Sequence, residues 1–597
     1  MLHQLATHFI KDTQASLGPF TPELILCITI MAMLLVRACR LGQYVPGFLM
    51  AMVGCGTALF FAAPWLYLSG QQAIVRQELF TGMLVFDGLT VFVRAFLLVF
   101  ALLFAVLTRL TRMPERDDAV DFYCLVLGAT LGMCLMASAN HLLMVFMAVE
   151  MASVPSYALA GQLKSRRRSS EAALKYSIYG AGAAGIMLYG ISLLCGVLNS
   201  AHLPTMVLQL ADKLPAMSPE QKTVLALGAL MLMVGLAFKL SAVPFHFWCP
   251  DVFEGATAEV DAFLSVASKA AALALLVRVA VGFGHMPAQV GTGDPATASP
   301  AAATSSVTPG DARHATVLVA ETGDASEAAH GDHAAHGNGI VAGAGSQAAD
   351  GWTAGYGSGP LAPVRRFISV LVGVIGVVTC TFGNLAAYGQ TNIKRLMGYS
   401  TIAHAGYMML AVPAAVATVD SHPAVAQGAV SALLLYGVTY LLMNLAAFAI
   451  IAFLRNSLGS EEIADYSGLV RRAPLLVLMF VAILFSLVGL PPLAGFVGKF
   501  AIFASLADAW QTAKNPLMLV LLVLGGLNTV LSLFYYLRVA KVMTIDAEKD
   551  DAAGAGSADV PWLGAAFVAA LVVPILTLIV YADSIAKWTN EATKSLF

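Results

Sequence analysis

Charge is scarce in this chain. Only 11% of its 597 residues are Asp, Glu, Lys or Arg, against 59% hydrophobic residues. Water-soluble domains carry about 25% charged residues, so the composition excludes that class and reads as an integral membrane protein. The basic residues fall in short clusters between apolar runs rather than along one face, and the formal net charge is -2. No nucleic-acid partner follows from that pattern. Paired cysteines are also lacking. Cys27, Cys39, Cys55, Cys124, Cys134, Cys195, Cys249 and Cys380 are scattered in or beside apolar runs with no C-x-x-C. Zinc and iron–sulfur sites need ligands at short spacing, so these thiols read as small packing residues. A cleavable leader is missing too: the first long apolar run starts only after Pro22, and no small-residue cleavage site leads into a soluble domain. That run is expected to be a retained span.

What is present is a series of apolar runs. A bilayer core of about 30 Å is crossed by about 20 apolar residues in a helix. Fourteen runs qualify, near 23–41, 46–69, 86–110, 121–138, 141–161, 172–198, 223–248, 257–282, 366–388, 393–413, 426–454, 474–505, 516–541 and 561–582. The expected fold is therefore an all-α polytopic membrane protein. Lys and Arg concentrate in the connections after odd-numbered spans, as in Arg109 to Arg116, Lys164 to Arg168, Lys394-Arg395 and Arg471-Arg472. The positive-inside rule then places those loops in the cytoplasm and both termini outside. Residues 283–359 interrupt the pattern with Ala-, Gly-, Ser- and Pro-rich sequence, including "AAHGDHAAHGNG". That composition buries too little apolar surface to fold and reads as a disordered outer-side insert. His330, His333 and His336 within it read as a solvated tract.

A charge at the bilayer centre costs about 2.5–3.5 kcal/mol on insertion scales, so intramembrane ionisable residues mark a protein interior or a water path. Glu150 lies in the fifth span, Lys175 near the start of the sixth, Lys239 in the seventh, Lys269 in the eighth and Lys499 in the twelfth. His246 and His404 add imidazoles that titrate near neutral pH when solvated. Pro244 follows Lys239, and Pro491-Pro492 precede Lys499. Proline frees backbone carbonyls, which membranes tolerate only where protein or water satisfies them, and broken helices in corresponding positions of two halves point to an ion path. The seventh and twelfth spans are five apart, which suggests two inverted five-helix units. The organisation expected is 1–120 (three spans), 121–282 (first unit), 283–359 (insert), 360–545 (second unit) and 546–597 (last span). Lys239 and His246, seven residues apart, would share a face of a regular helix, with Pro244 opening the backbone between them. A buried lysine that gains and loses a carboxylate partner such as Glu150 can hold or release a proton. Arg94 and Arg278 read as anchors or ion-pair partners. The run "GAGAAG" at Gly180 to Gly185 matches G-x-G-x-x-G, but within an apolar span it reads as close helix packing.

Five segments carry a resemblance: "VEMASVPSYALAG", "FKLSAVPFHFWCPDVFEGA", "GNLAAYGQTNIKRLMGYSTIAHAGYMML", "SLVGLPPLAGFVGKF" and "LNTVLSLFYYLRV". Together they resemble the antiporter-like membrane subunits of respiratory complex I, and within these the subunit N branch rather than its two larger relatives. The resemblance covers almost the whole chain. It implies fourteen spans with paired inverted repeats, and a charged axis that conducts protons outward as NADH is oxidised by quinone. By motif, Glu150, Lys175, Lys239, His246, Lys269 and Lys499 match the family's charged-axis positions. It also implies that this chain binds no cofactor, with NADH, FMN, iron–sulfur clusters and quinone on partner subunits. Its partners would be other complex I subunits, above all neighbouring antiporter-like and small membrane subunits, and lipid, in a bacterial inner membrane. The alternative is a subunit of a multisubunit Mrp-type cation/proton antiporter, which shares the buried lysines. The chain departs from the family twice. The family usually continues "PDVFEGA" with a proline-rich "PxPV", where this chain has Thr257-Ala258-Glu259-Val260-Asp261, and the insert is foreign to it.

Overall fold

Helix starts follow the sequence's own caps and prolines. Asp87 accepts from Thr90 N at 2.9 Å, Ser218 and Gln221 form a reciprocal capping box, and Asn392 accepts from the amides of Lys394 and Arg395. Such side chains satisfy amides that a helix N-terminus leaves open. The computed structural model describes residues 2–41, 44–114, 118–163, 165–286, 355–548 and 560–597. The expected insert therefore lies almost entirely outside the described residues, as do His330, His333 and His336.

The N-terminal part comprises α1 (Leu2–Leu17), α2 (Thr21–Ala38), α3 (Gly47–Ala62), the short α4 (Pro64–Tyr67) and α5 (Gly88–Leu110). Between α4 and α5 a small hairpin pairs β1 (Gln77–Leu79) with β2 (Leu84–Phe86). Then follow α6 (Ala119–Ser138), α7 (Leu142–Ala160), α8 (Arg167–Leu198), α9 (Leu203–Lys213), α10 (Pro219–Leu240), α11 (Trp248–Gly255) and α12 (Ala258–Gly284). After the insert come α13 (Ala362–Ala387), α14 (Ile393–Met409), α15 (Ala411–Thr418) and α16 (Pro423–Leu458). The chain continues through α17 (Pro474–Val488), α18 (Ala494–Ala513), α19 (Pro516–Thr544) and α20 (Trp562–Thr593). Among the described residues thirteen helical segments are long and apolar enough to cross a membrane. The remaining expected span, the twelfth, is the pair α17 and α18. The all-α polytopic fold is as the sequence indicates; α1 before the first span, and α9 and the hairpin in connections, are additions.

Two halves repeat the same local devices. Leu142 N donates to Ala201 O at 2.7 Å and Leu203 N to Asn140 O at 3.0 Å, tying the start of α7 to the start of α9. Ile393 N donates to Glu461 O at 2.9 Å and Ile463 N to Thr391 O at 2.8 Å, tying the start of α14 to the segment after α16 in the same way. The broken helices match as well. α10 ends at Ser241, whose φ is 57°, with Ser241 N bonding Phe238 O and Ala242 N bonding Ala237 O. α17 ends at Gly489, φ 92°, with Gly489 N bonding Ser486 O and Leu490 N bonding Phe485 O. Both are left-handed terminations of the Schellman kind, and both run into a cis X-Pro bond, Val243-Pro244 and Pro491-Pro492.

The core sits on α12, α14 with α15, and α16, whose most apolar stretches are 94%, 100% and 83% buried. Large apolar side chains on the other helices, such as Ile28, Phe60, Leu174, Val374, Leu478 and Val580, stay exposed, as a lipid-facing surface requires. At the end of α12, Arg365 donates to Gly284 O at 3.3 Å, to Tyr356 O at 2.8 Å and to Ser358 O at 2.7 Å, and pairs with Asp420 at 3.3 Å. One buried guanidinium thus holds the chain on both sides of the insert.

Candidate functional site

α12 passes through the middle of the protein, and the two helix breaks open beside buried lysines. Lys239 occupies the last turn of α10, fully buried, and donates to Ser153 Oγ of α7 at 3.0 Å. Glu150 lies one turn before Ser153 on α7, half-buried, and is the carboxylate whose charge acts on Lys239. The two form no direct ion pair. Lys269 of α12 donates to Lys239 O at 3.3 Å and to Ser241 Oγ, with its ammonium 4.8 Å from the Trp248 ring centroid. Lys499 of α18 donates to Leu487 O and Val488 O, each at 3.0 Å, and lies 4.5 Å from the Tyr407 ring centroid. The same rule governs Lys269 and Lys499: each ammonium binds carbonyls left open where a broken helix ends, where the helix dipole favours a cation.

None of these three lysines has a carboxylate within ion-pair distance, so each is held by carbonyls, hydroxyls and ring faces. Lysine is the cation that gives up its proton when desolvated, which suits a carrier better than a clamp. The buried arginines are built differently. Arg278 binds Asp87 through two bonds of 2.7 and 2.9 Å, and also bonds Ala137 O and Thr90 Oγ1. Arg94 pairs with Glu23 at 2.7 Å. These are the anchors that the sequence suggests.

Lys175 stands apart from the buried row. Its side chain is 37% exposed and bridges Glu171 at 2.9 Å and Asp251 at 2.8 Å, in a network continued by Arg395 and Glu254. His246 lies in the turn between α10 and α11 rather than on a helix face shared with Lys239, because the helix stops at Leu240. It is buried between the Phe247 and Phe382 rings, and its Nδ1 has no hydrogen-bond partner.

The sequence singles out His404 but not the hydroxyls gathered around it and around Ser265. His404 of α14 joins Tyr436 OH at 2.6 Å and Tyr536 OH at 3.2 Å, and Tyr536 OH joins Ser400 Oγ at 2.5 Å. Ser265 Oγ of α12 joins Thr401 Oγ1 and Tyr440 OH, both at 2.9 Å. Their signal was the placement of hydroxyls deep in apolar runs, as in "LLLYGVTYLL", which alone does not distinguish a packing tyrosine from a network member. Gly180 does serve packing: a Cβ there would meet Tyr157 OH at 2.0 Å. Among the described residues no three His, Cys, Asp or Glu side chains converge as metal ligands.

Comparison with known proteins decides the family. The family model described as NADH:quinone oxidoreductase/Mrp antiporter, TM, matches residues 139–289 and 357–530. NADH-quinone oxidoreductase subunit N of Anaeromyxobacter sp. is 35% identical, with 79% of this chain and 77% of that protein aligned. The chain belongs to the NADH-quinone oxidoreductase subunit N family. As a subunit N family member it also matches a chain of respiratory complex I from Thermus thermophilus, solved with bound aureothin. That match has 27% identity and a TM-score of 0.63 and covers 95% of this chain and 98% of the other. A chain of the Mrp complex from Dietzia sp. gives a TM-score of 0.69 at 17% identity, covering 97% and 98%, and so shares the fold of the subunit N family.

Proposed function

We propose that this chain is the antiporter-like subunit N of a bacterial NADH:quinone oxidoreductase and conducts protons outward as electrons pass from NADH to quinone on partner subunits. The observation that supports this reading best is the set of buried lysines at two broken helices, unpaired by carboxylates, in a chain of this family. Glu150 and Lys239 form the switching pair: in the structure described here Lys239 rests on Ser153, one turn from Glu150, so a small shift exchanges the hydroxyl for the carboxylate. When the pair is made, the Lys239 ammonium is favoured; when it opens, the proton moves toward Lys269 in its neutral form, whose amino group already bonds the Lys239 carbonyl and becomes an ammonium. Lys499 is the outer member of the row, the His404–Tyr436–Tyr536 cluster lies within the second half, and Ser265 joins the first half to it through Thr401 and Tyr440. His246 borders the break, and Lys175 tunes the cytoplasmic end through Asp251.

We further propose the division into 1–120, 121–282, 360–545 and 546–597, with the second and third parts as inverted units, on the strength of the recurring bridges and helix terminations. Neighbouring membrane subunits cover the half-buried Glu150 face, in an inner membrane with both termini outside. NADH, FMN, iron–sulfur clusters and quinone belong to partners. The test is Lys239→Ala in the assembled complex, with NADH-driven proton uptake into inverted membranes and NADH:quinone turnover as readouts. Both are expected to fall by about 10²-fold, the low end of what a positioned acid–base group contributes. Wild-type rates of both would refute the relay, and sodium-dependent proton efflux without NADH would move the assignment to an Mrp-type antiporter.

A further inference from the structure

The start of α12 carries two acids, Glu259 and Asp261, and the protein buries both. Glu259 and Asp261 are fully buried, and none of their four carboxyl oxygens has a hydrogen-bond partner. Arg455 approaches Glu259 at 3.6 Å. Lys394, also buried, is taken up by Glu461 at 3.0 Å and by Ala256 O at 2.6 Å. The charged groups acting on Asp261 are Lys394, Glu461, Glu259 and Arg455. Three carboxylates therefore share two cations, and the odd one is Asp261. A buried carboxylate with neither counterion nor donor is too costly to keep; it is relieved by a proton or by a cation. No three His, Cys, Asp or Glu side chains converge as metal ligands among the described residues, which favours the proton.

Two further features give that proton a route. Arg455 and Glu461 line a cavity of about 400 Å³, together with Asn392, Asn456 and the exposed Gly459 and Glu462. The cavity thus reaches Arg455 and Glu461, two of the charged groups that act on Asp261. On the inner side, Asp261, Ser265 and Lys269 follow at intervals of four on a helix that is otherwise Ala, Val, Leu, Phe and Gly apart from Glu259, Ser268 and Arg278, so all three lie on one face. Neighbours at that interval have Cβ atoms about 5–6 Å apart, a gap that one water spans. Ser265 is already bonded to Thr401 and Tyr440, and the buried Ser268 Oγ has no partner.

We propose that Asp261 is a proton-loading carboxyl that takes protons from the Arg455–Glu461 cavity and passes them along α12, through Ser265, to Lys269. In each passage the carboxyl gives up its O–H proton, the hydroxyl accepts it on an oxygen lone pair while releasing its own hydrogen inward, and a neutral Lys269 amine becomes an ammonium. The carboxylate left behind is re-protonated from cavity water. The inference rests on the proton-conducting reading above, and it adds an uptake residue to it.

The experiment compares wild type, Asp261→Asn, Asp261→Glu, Ser265→Ala and Lys239→Ala in the assembled complex. Proton pumping, NADH:quinone turnover and the infrared carbonyl band of protonated carboxylic acids are recorded for each. Asp261→Asn is expected to lower pumping at least about 10-fold and to delete one protonated-carboxyl band. Asp261→Glu should restore most of the pumping with a shifted band, which a purely structural role would not produce. If Asp261→Asn does not assemble, Ser265→Ala carries the test: slowed pumping supports the route and wild-type pumping overturns it. Wild-type pumping in Asp261→Asn beside a defective Lys239→Ala overturns this inference alone. Wild-type pumping in Lys239→Ala overturns the underlying reading. A sodium-dependent activity lost in Asp261→Asn would also overturn it, by making the site a cation site.

Discussion

The buried ions of this protein divide by what holds them. Asp87 and Arg278 are fully committed to each other by two hydrogen bonds, so removing one leaves the other stranded. Arg278→Leu is expected to destabilise the solubilised protein by about 3–5 kcal/mol, read as a lowered melting temperature, and adding Asp87→Asn should recover part of the loss. Lys239, Lys269 and Lys499 have no such partner, and their loss is expected to affect transport before stability. Outside the spans, Glu78 shows how a surface pair responds to pH. A hydrogen bond from His202 is the main cause that holds its carboxyl below the usual range, with burial opposing and the His202 charge, Asn140 and Arg76 assisting. A depressed carboxyl stabilises the fold above its unfolded value, and that contribution is lost as pH falls through the folded one. Glu78→Gln is therefore expected to lower the melting temperature slightly at pH 8, where the contribution is fully present, and to flatten the acid-side drop so that variant and wild type converge at low pH. The lysines were legible in the sequence because a cation in an apolar run is conspicuous. Their partners were not, because a carbonyl at a helix end has no letter of its own, and Ser153 and Ser241 look like ordinary small residues.

The broken helices are where element geometry and chemistry meet. The prolines announced both breaks, but the stopping points, Ser241 and Gly489, depend on left-handed terminations that only the backbone displays. The seventh apolar run was accordingly read as continuous to residue 248, whereas α10 ends eight residues earlier and His246 falls in the turn. α18 depends on a glycine: at Gly495 a Cβ would lie 1.8 Å from Ser486 O at the end of α17. Gly495 N also donates to Ser486 Oγ at 3.0 Å. Gly495→Ala must push the half-helices apart, and Lys499, one turn further along, would lose its reach to Leu487 and Val488. Overpacking of this kind costs about 1–3 kcal/mol. The expected result is a lower melting temperature together with a drop in pumping, whereas Gly526→Ala on α19, where a Cβ meets nothing, should alter neither.

The molecule as a whole was legible where hydrophobic length decides the outcome: the span count, the all-α class and the tight pairing of α6 with α7 follow from apolar runs alone. What the runs do not reveal is which spans are central. The spans of α12 and of α14 with α15 are the most deeply buried in the protein and yet not the most apolar, since a helix surrounded by other helices can carry polar groups that a lipid-facing one cannot. The insert is the other feature of the whole chain. Replacing residues 287–354 with a short Gly/Ser linker is expected to leave assembly and proton pumping at wild-type levels, measured by native electrophoresis with NADH dehydrogenase staining and by dye quenching.

Arg365 explains why that replacement is feasible and gives it a use. Because a single guanidinium grips Gly284 on one side and Tyr356 and Ser358 on the other, the joint is closed before the intervening chain begins. Closing a loop costs only about 0.6 kcal/mol more for each doubling of its length, so length at this joint is nearly free to drift. The position is a natural port: a fluorescent or affinity module spliced between residues 286 and 355 would label the complex at a joint that Arg365 already closes, with the sequence of every described helix left as it is.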